Sequence, residues 1–125
     1  MGTRPRLDAG SVTVELAAAI PLLVAVTLAM VGILGLARDQ VLAQGAAREG
    51  AREAAIGGDD PRASAAARAA LPPGRAANVT VSAVGPRRIR VSVELPVGLP
   101  FGARPVVIKA TAVAAREPDA GGALP

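Results

Sequence analysis

The chain has 125 residues, a net charge of +4 and neither cysteine nor histidine. That length holds one small domain and little else, and the missing side chains exclude most zinc, iron–sulfur, haem and thiol chemistry together with Ser-His-Asp and Cys-His nucleophiles. Lys109 is the only lysine; the alanine and arginine richness looks like the codon bias of a GC-rich genome, so the basic balance is background and no nucleic-acid partner is expected.

Residues Met1–Gly10 are short and polar, with Arg4, Arg6 and Asp8. From Leu16 to Ala37 no residue is charged. As a helix this run spans about 33 Å at roughly 1.5 Å per residue, matching a hydrocarbon core of ~30 Å with slight tilt. A membrane anchor is the reading. A buried core helix of this length would need a larger protein around it. A cleavable secretory signal ending at Gly35-Leu36-Ala37 is the better rival, but the apolar run exceeds the ~7–15 residues of a signal core. Arg4 and Arg6 lie on the short side of the span, and beyond it Arg38 stands beside Asp39. The positive-inside rule then puts the N-terminus in the cytoplasm and the rest of the chain outside.

Small and apolar residues continue at helical spacing past the span, at Val41-Leu42, Gly45-Ala46, Gly50 and Ala54. One helix is predicted from about Val12 to Ile56, with Glu49 and Arg52 paired on its wet face and Gly57-Gly58 ending it. A second helix is predicted from Asp60 as cap and Pro61 in the first turn to about Leu71, where Pro72-Pro73-Gly74 stops it. The period then changes to two. Val79, Val81 and Ala83 form one strand, Gly85-Pro86 a turn, and Ile89, Val91, Val93 and Leu95 a half-buried antiparallel strand. A Pro/Gly-punctuated loop over Pro96–Pro105 leads to a third strand, Val106–Ala115, and a loose tail. The fold class is α+β: a long helix that crosses the membrane and extends past it, a short second helix and a small three-stranded antiparallel sheet.

Glu15 stands at the edge of the span. A carboxylate deep in lipid is costly, though less so near a helix end, so it either serves a function or simply faces the positive end of the helix dipole. Ala17, Pro21, Ala25 and Ala29 recur every fourth residue, with Gly32 three further on, and form a stripe where another helix can approach closely. Alanine is frequent throughout the chain, so part of any stripe will be alanine. Pro21 lacks the N–H that would bond the Ala17 carbonyl, which loosens the helix there. Arg87, Arg88 and Arg90 cluster without nearby aromatics to stack bases, and read as charge guarding a hairpin edge. Asn78-Val79-Thr80 fits a glycosylation sequon by a pattern that chance also produces. No serine is placed beside Lys109 for a hydrolytic dyad. No catalytic residue, metal site, cofactor or small-molecule substrate is expected.

The segment Gly10-Ser11-Val12-Thr13-Val14-Glu15, followed by the apolar run, resembles a type IV prepilin processing site. Gly10 to Pro21 as a whole looks like the start of TadE-like minor pilins of the tight-adherence pilus. Ala46-Ala47-Arg48-Glu49-Gly50-Ala51-Arg52 is similar to their post-membrane helix motif, and Ala110-Thr111-Ala112-Val113-Ala114-Ala115-Arg116-Glu117 to the end of their domain. Phe101 is the only aromatic residue, where such proteins often carry more after the span, so the resemblance is to a short actinobacterial-style variant. The resemblance implies cleavage after Gly10 by a prepilin peptidase, Ser11 as the new N-terminus, and Glu15 as a carboxylate that guides assembly. It also implies other pilin-like subunits and a membrane assembly platform as partners. The organisation expected is a leader over 1–10, a membrane helix over 11–37, an extracytoplasmic pilin-like domain over 38–117 and a tail over 118–125. A generic single-pass envelope protein with a scaffolding or adhesive ectodomain is the alternative, and a soluble hydrolase released at Ala37 a more distant one.

Overall fold

The computed structural model describes residues 8–99, 102 and 104–116. Arg4, Arg6, Phe101 and the expected tail lie outside the described residues. Helix α1 runs Asp8–Ala55, helix α2 Asp60–Ala69, and strands β1 Asn78–Ala83, β2 Arg88–Val97 and β3 Val106–Ala115 follow. The α+β class and the order of elements are those the periodicities predict. Two compact units divide the chain after Leu34.

The first unit, up to Leu34, contributes the apolar part of α1. This helix starts four residues earlier than predicted and runs on through Pro21. Thr27 inserts a hydroxyl into the apolar run and satisfies it locally, its Oγ1 donating to the Leu23 carbonyl at 2.8 Å.

The second unit, from Gly35, is a helix pair and an antiparallel meander. Its sheet order is β1-β2-β3, with Val79 opposite Val93 and Val93 opposite Ala110. Residues 89, 91, 93, 95 and 97 of β2 point inward, and Leu95, Val91 and Val93 are the largest fully buried side chains. Alanines cover them: Ala43, Ala46, Ala47, Ala51 and Ala54 of α1, and Ala63 and Ala67 of α2. Small side chains bring helix backbones close to the sheet, and Gly50 brings them closest. A Cβ built at Gly50 would lie 3.0 Å from the Ala63 carbonyl oxygen, from Ala67 Cβ and from Val91 Cγ1. The glycine that weakens helix propensity is the point where α1, α2 and β2 meet.

Helix α1 ends where two glycines predict. Gly57 adopts φ +91° and the Gly58 N–H reaches back to the Glu53 carbonyl at 3.0 Å, the six-to-one bond of a Schellman ending. The cap of α2 is a correction: Asp59, not Asp60, accepts from the Arg62 N–H at 2.9 Å, and Asp60 is the first helical residue. Two adjacent aspartates fit the cap equally well in sequence. Helix α2 stops at Ala69, short of Leu71, whose side chain is buried in the core.

Strand β2 also runs two residues further than predicted, through Pro96 and Val97. Its pairing with β1 ends at Glu94 opposite Asn78, while β3 pairs on to Val97. Beyond Glu94 one side of β2 has no strand beside it, and proline is tolerated in such a position. Glu49 and Arg52 are both exposed and form no ion pair among the described residues. Arg88 and Arg90 lie on the outer face of the central strand, so they guard no edge.

An ion pair that the sequence does not announce joins the loop after α2 to α1. Arg75 Nη2 donates to Asp39 Oδ1 at 2.6 Å; the Asp39 side chain is 6% exposed and that of Arg75 36%. The two partners are not equivalent. Arg75→Ala strands a buried carboxylate, whereas Asp39→Ala leaves a guanidinium that already reaches water. Charged hydrogen bonds of this kind contribute about 1–3 kcal/mol. Chemical denaturation of the full chain is expected to show a larger loss for Arg75→Ala than for Asp39→Ala, and equal losses would contradict the burial asymmetry.

Candidate assembly face on the N-terminal helix

The apolar run of α1 keeps its large side chains outside. Leu16, Ile20, Leu22, Leu23, Met30, Ile33 and Leu34 are all exposed, Leu34 at 69%. Burying one such side chain is worth about 1.5–3 kcal/mol, so an apolar helix left bare along several turns belongs in a non-aqueous surrounding or against partners. Among the described residues this is the helix long and apolar enough to cross a membrane. The buried-core alternative does not hold, because none of the window that meets that test is buried. The same helix runs on past Leu34 to Ala55, and one N-terminal apolar helix is consistent with single-pass membrane anchoring.

On this helix Ala17, Pro21, Ala25 and Ala29 are exposed and Gly32 half-buried. At about 100° per residue, these five positions fall within roughly a third of the helix circumference. Glu15, also exposed, lies about 40° round from Ala29 by the same count. Carboxylate and small residues thus share one side of the helix, but that side is mixed: by the same count Val14, Leu22 and Leu28 fall in the same sector and Ile33 at the angle of Glu15. No basic residue of the described chain forms an ion pair with Glu15.

Gly10 lies in the first turns of α1 and a Cβ built there meets nothing within 4 Å. Packing among the described residues gives no reason for glycine at this position, unlike Gly50. Ser11 follows it in the helix; its side chain lies outside the described residues.

The other candidates resolve into structural roles. Lys109 Nζ bonds Glu94 Oε1 at 2.8 Å across β3 and β2, and Ser92 Oγ lies 3.4 Å from Thr111 Oγ1, so the nearby serine faces a threonine and Lys109 a carboxylate. Asn78 opens β1 and is exposed.

No curated protein and no solved structure matches the chain. The family model described as TadE-like protein matches residues 10–52. That match begins at Gly10, takes in Glu15 and the whole small-residue stripe, and ends in the Ala46–Arg52 motif beside Gly50. The resemblance to TadE-like proteins therefore holds over residues 10–52, the segment that forms the exposed apolar helix and its continuation into the packed unit.

Proposed function

We propose that this chain is a structural minor pilin, or pseudopilin, of a tight-adherence, type IV-like pilus. The TadE-like match supports a pilin-like, pilus-associated protein of a structural family. The observation that carries the finer reading is the combination on one helix of a bare apolar surface, the carboxylate of Glu15 at the edge of the uncharged run and small residues recurring along one side. The work is done by helix packing and not by chemistry.

In this reading a prepilin peptidase cuts after Gly10 and removes Arg4 and Arg6. Those arginines hold the N-terminus in the cytoplasm before the cut, and the domain from about Arg38 is extracytoplasmic. The apolar helix first sits in the membrane. An assembly platform then moves it sideways against other pilin-like helices. Lipid tails are as apolar as leucine, so the gain on association comes from close packing at small residues. Ala17, Pro21, Ala25, Ala29 and Gly32 supply that approach, and Glu15 sets the register.

The test exploits the difference between lipid and a partner helix. Ala25→Leu combined with Ala29→Leu is expected to insert as well as the native chain, because lipid accepts leucine. It should lose most of its co-purification with the other pilin-like subunits from solubilised membranes. Undiminished co-purification of the double variant would assign packing to another face. The generic anchored-envelope alternative predicts that even the native chain does not co-purify with those subunits.

A further inference from the structure

Strand β3 is an edge strand: among the described residues β2 is the only strand paired with it. It is ten residues long and pairs with β2 in one unbroken register from Val106 to Ala115. Native sheets protect such edges with proline, bulges, short length or outward charge. Here there is no proline and no bulge. The one charge, Lys109, is tied to Glu94 on the neighbouring strand. Val107 and Val113 are 58% and 50% exposed on the outer face. The opposite edge strand, β1, is six residues long and has α2 packed beside it.

We propose that β3 pairs antiparallel with β3 of a second copy of this chain. Opposite residues of an antiparallel pair lie on the same face, so a two-fold axis through Ala110 keeps the two outer faces together. That register sets Val107 against Val113 of the other copy, twice, and so covers the exposed valines with each other. Lys109 falls opposite Thr111, and Ile108 opposite Ala112. No like charges meet. The contact is self-complementary and closes at two copies. A single strand pair buries less than a stable interface of ~1,000 Å², and a chain concentrated in a membrane or micelle gains what dilution would lose.

The absence of native cysteine makes cross-linking clean. In full-length chain held in detergent, Val107→Cys with Val113→Cys is expected to give a disulfide dimer on mild oxidation. Either single substitution should give several-fold less, because positions 107 and 113 of one strand lie about 20 Å apart at ~3.4 Å per residue and meet only across the pair. Adding Thr111→Lys sets Lys109 against a second lysine and is expected to cut the dimer yield several-fold. Circular dichroism reports whether each variant keeps its fold. A folded double-cysteine variant that stays monomeric would overturn the pairing. So would equal cross-linking by the singles or by Ser82→Cys on β1, which would reveal random collision.

Discussion

Glu15→Leu is expected to be cut, inserted and stable in the membrane, yet to fail in assembly. Removing a carboxylate from an apolar helix relieves a desolvation cost of up to ~2.5–3.5 kcal/mol at mid-membrane, less near the end, so insertion should improve if anything. Among the described residues Glu15 makes no ion pair, and the folded unit from Gly35 does not include it. A loss must therefore come from outside the molecule. Cleavage after Gly10 would create an amine on Ser11, about one helical turn from Glu15. In lipid a lone ammonium and a lone carboxylate are each unfavourable, and pairing between neighbouring chains relieves both. Each ~1.4 kcal/mol is a factor of ten in association, so a drop of tenfold or more in incorporated subunit is expected. The measurement is the amount of variant recovered with sheared or purified filaments against the amount in the membrane. Normal incorporation would remove Glu15 from the registering role; with α1 starting at Asp8 it lies about two turns in, beyond the reach of the helix dipole.

Gly10→Leu is expected to stop maturation altogether. The helix around Gly10 has room for a side chain, with nothing within 4 Å of a built Cβ, so the folded chain should tolerate leucine and gain helix propensity of nearly ~1 kcal/mol. A protein that folds and inserts but retains its leader would show that glycine is required by the peptidase and not by the structure. The precursor should accumulate in the membrane at its full mass, and the filament fraction should lack the chain. Efficient maturation of Gly10→Leu would move the cut elsewhere.

Local chemistry made most of the fold legible. Gly57-Gly58 and Pro72-Pro73-Gly74 end the helices within two residues of where they end in the structure, and the alternation of Ile89, Val91, Val93 and Leu95 identifies the buried face of β2. Strand β3 has the bounds read from Val106–Ala115. What was not legible depends on tertiary context. Whether Asp59 or Asp60 caps α2 depends on the turn geometry before it. Pro96 looks like a strand breaker until β1 is seen to stop level with Glu94. Arg75 lies 36 residues from Asp39, and no local pattern links them. Arg88 and Arg90 read as edge guards because sequence does not reveal which strand is central. For the candidate site the balance is reversed: Gly10, Glu15 and the four-residue recurrence from Ala17 are sequence features, and the structure adds that all lie on one exposed helix with nothing packed at Gly10.

The N-terminus of the mature membrane form is the most direct measurement. Intact-mass and terminal-peptide mass spectrometry of the chain from native membranes is expected to find a protein beginning at Ser11, with residues 1–10 absent. A chain beginning at Met1 or Gly2 would contradict pilin processing and favour a plain single-pass anchor, and one beginning near Asp39 would make the apolar helix a discarded secretion signal.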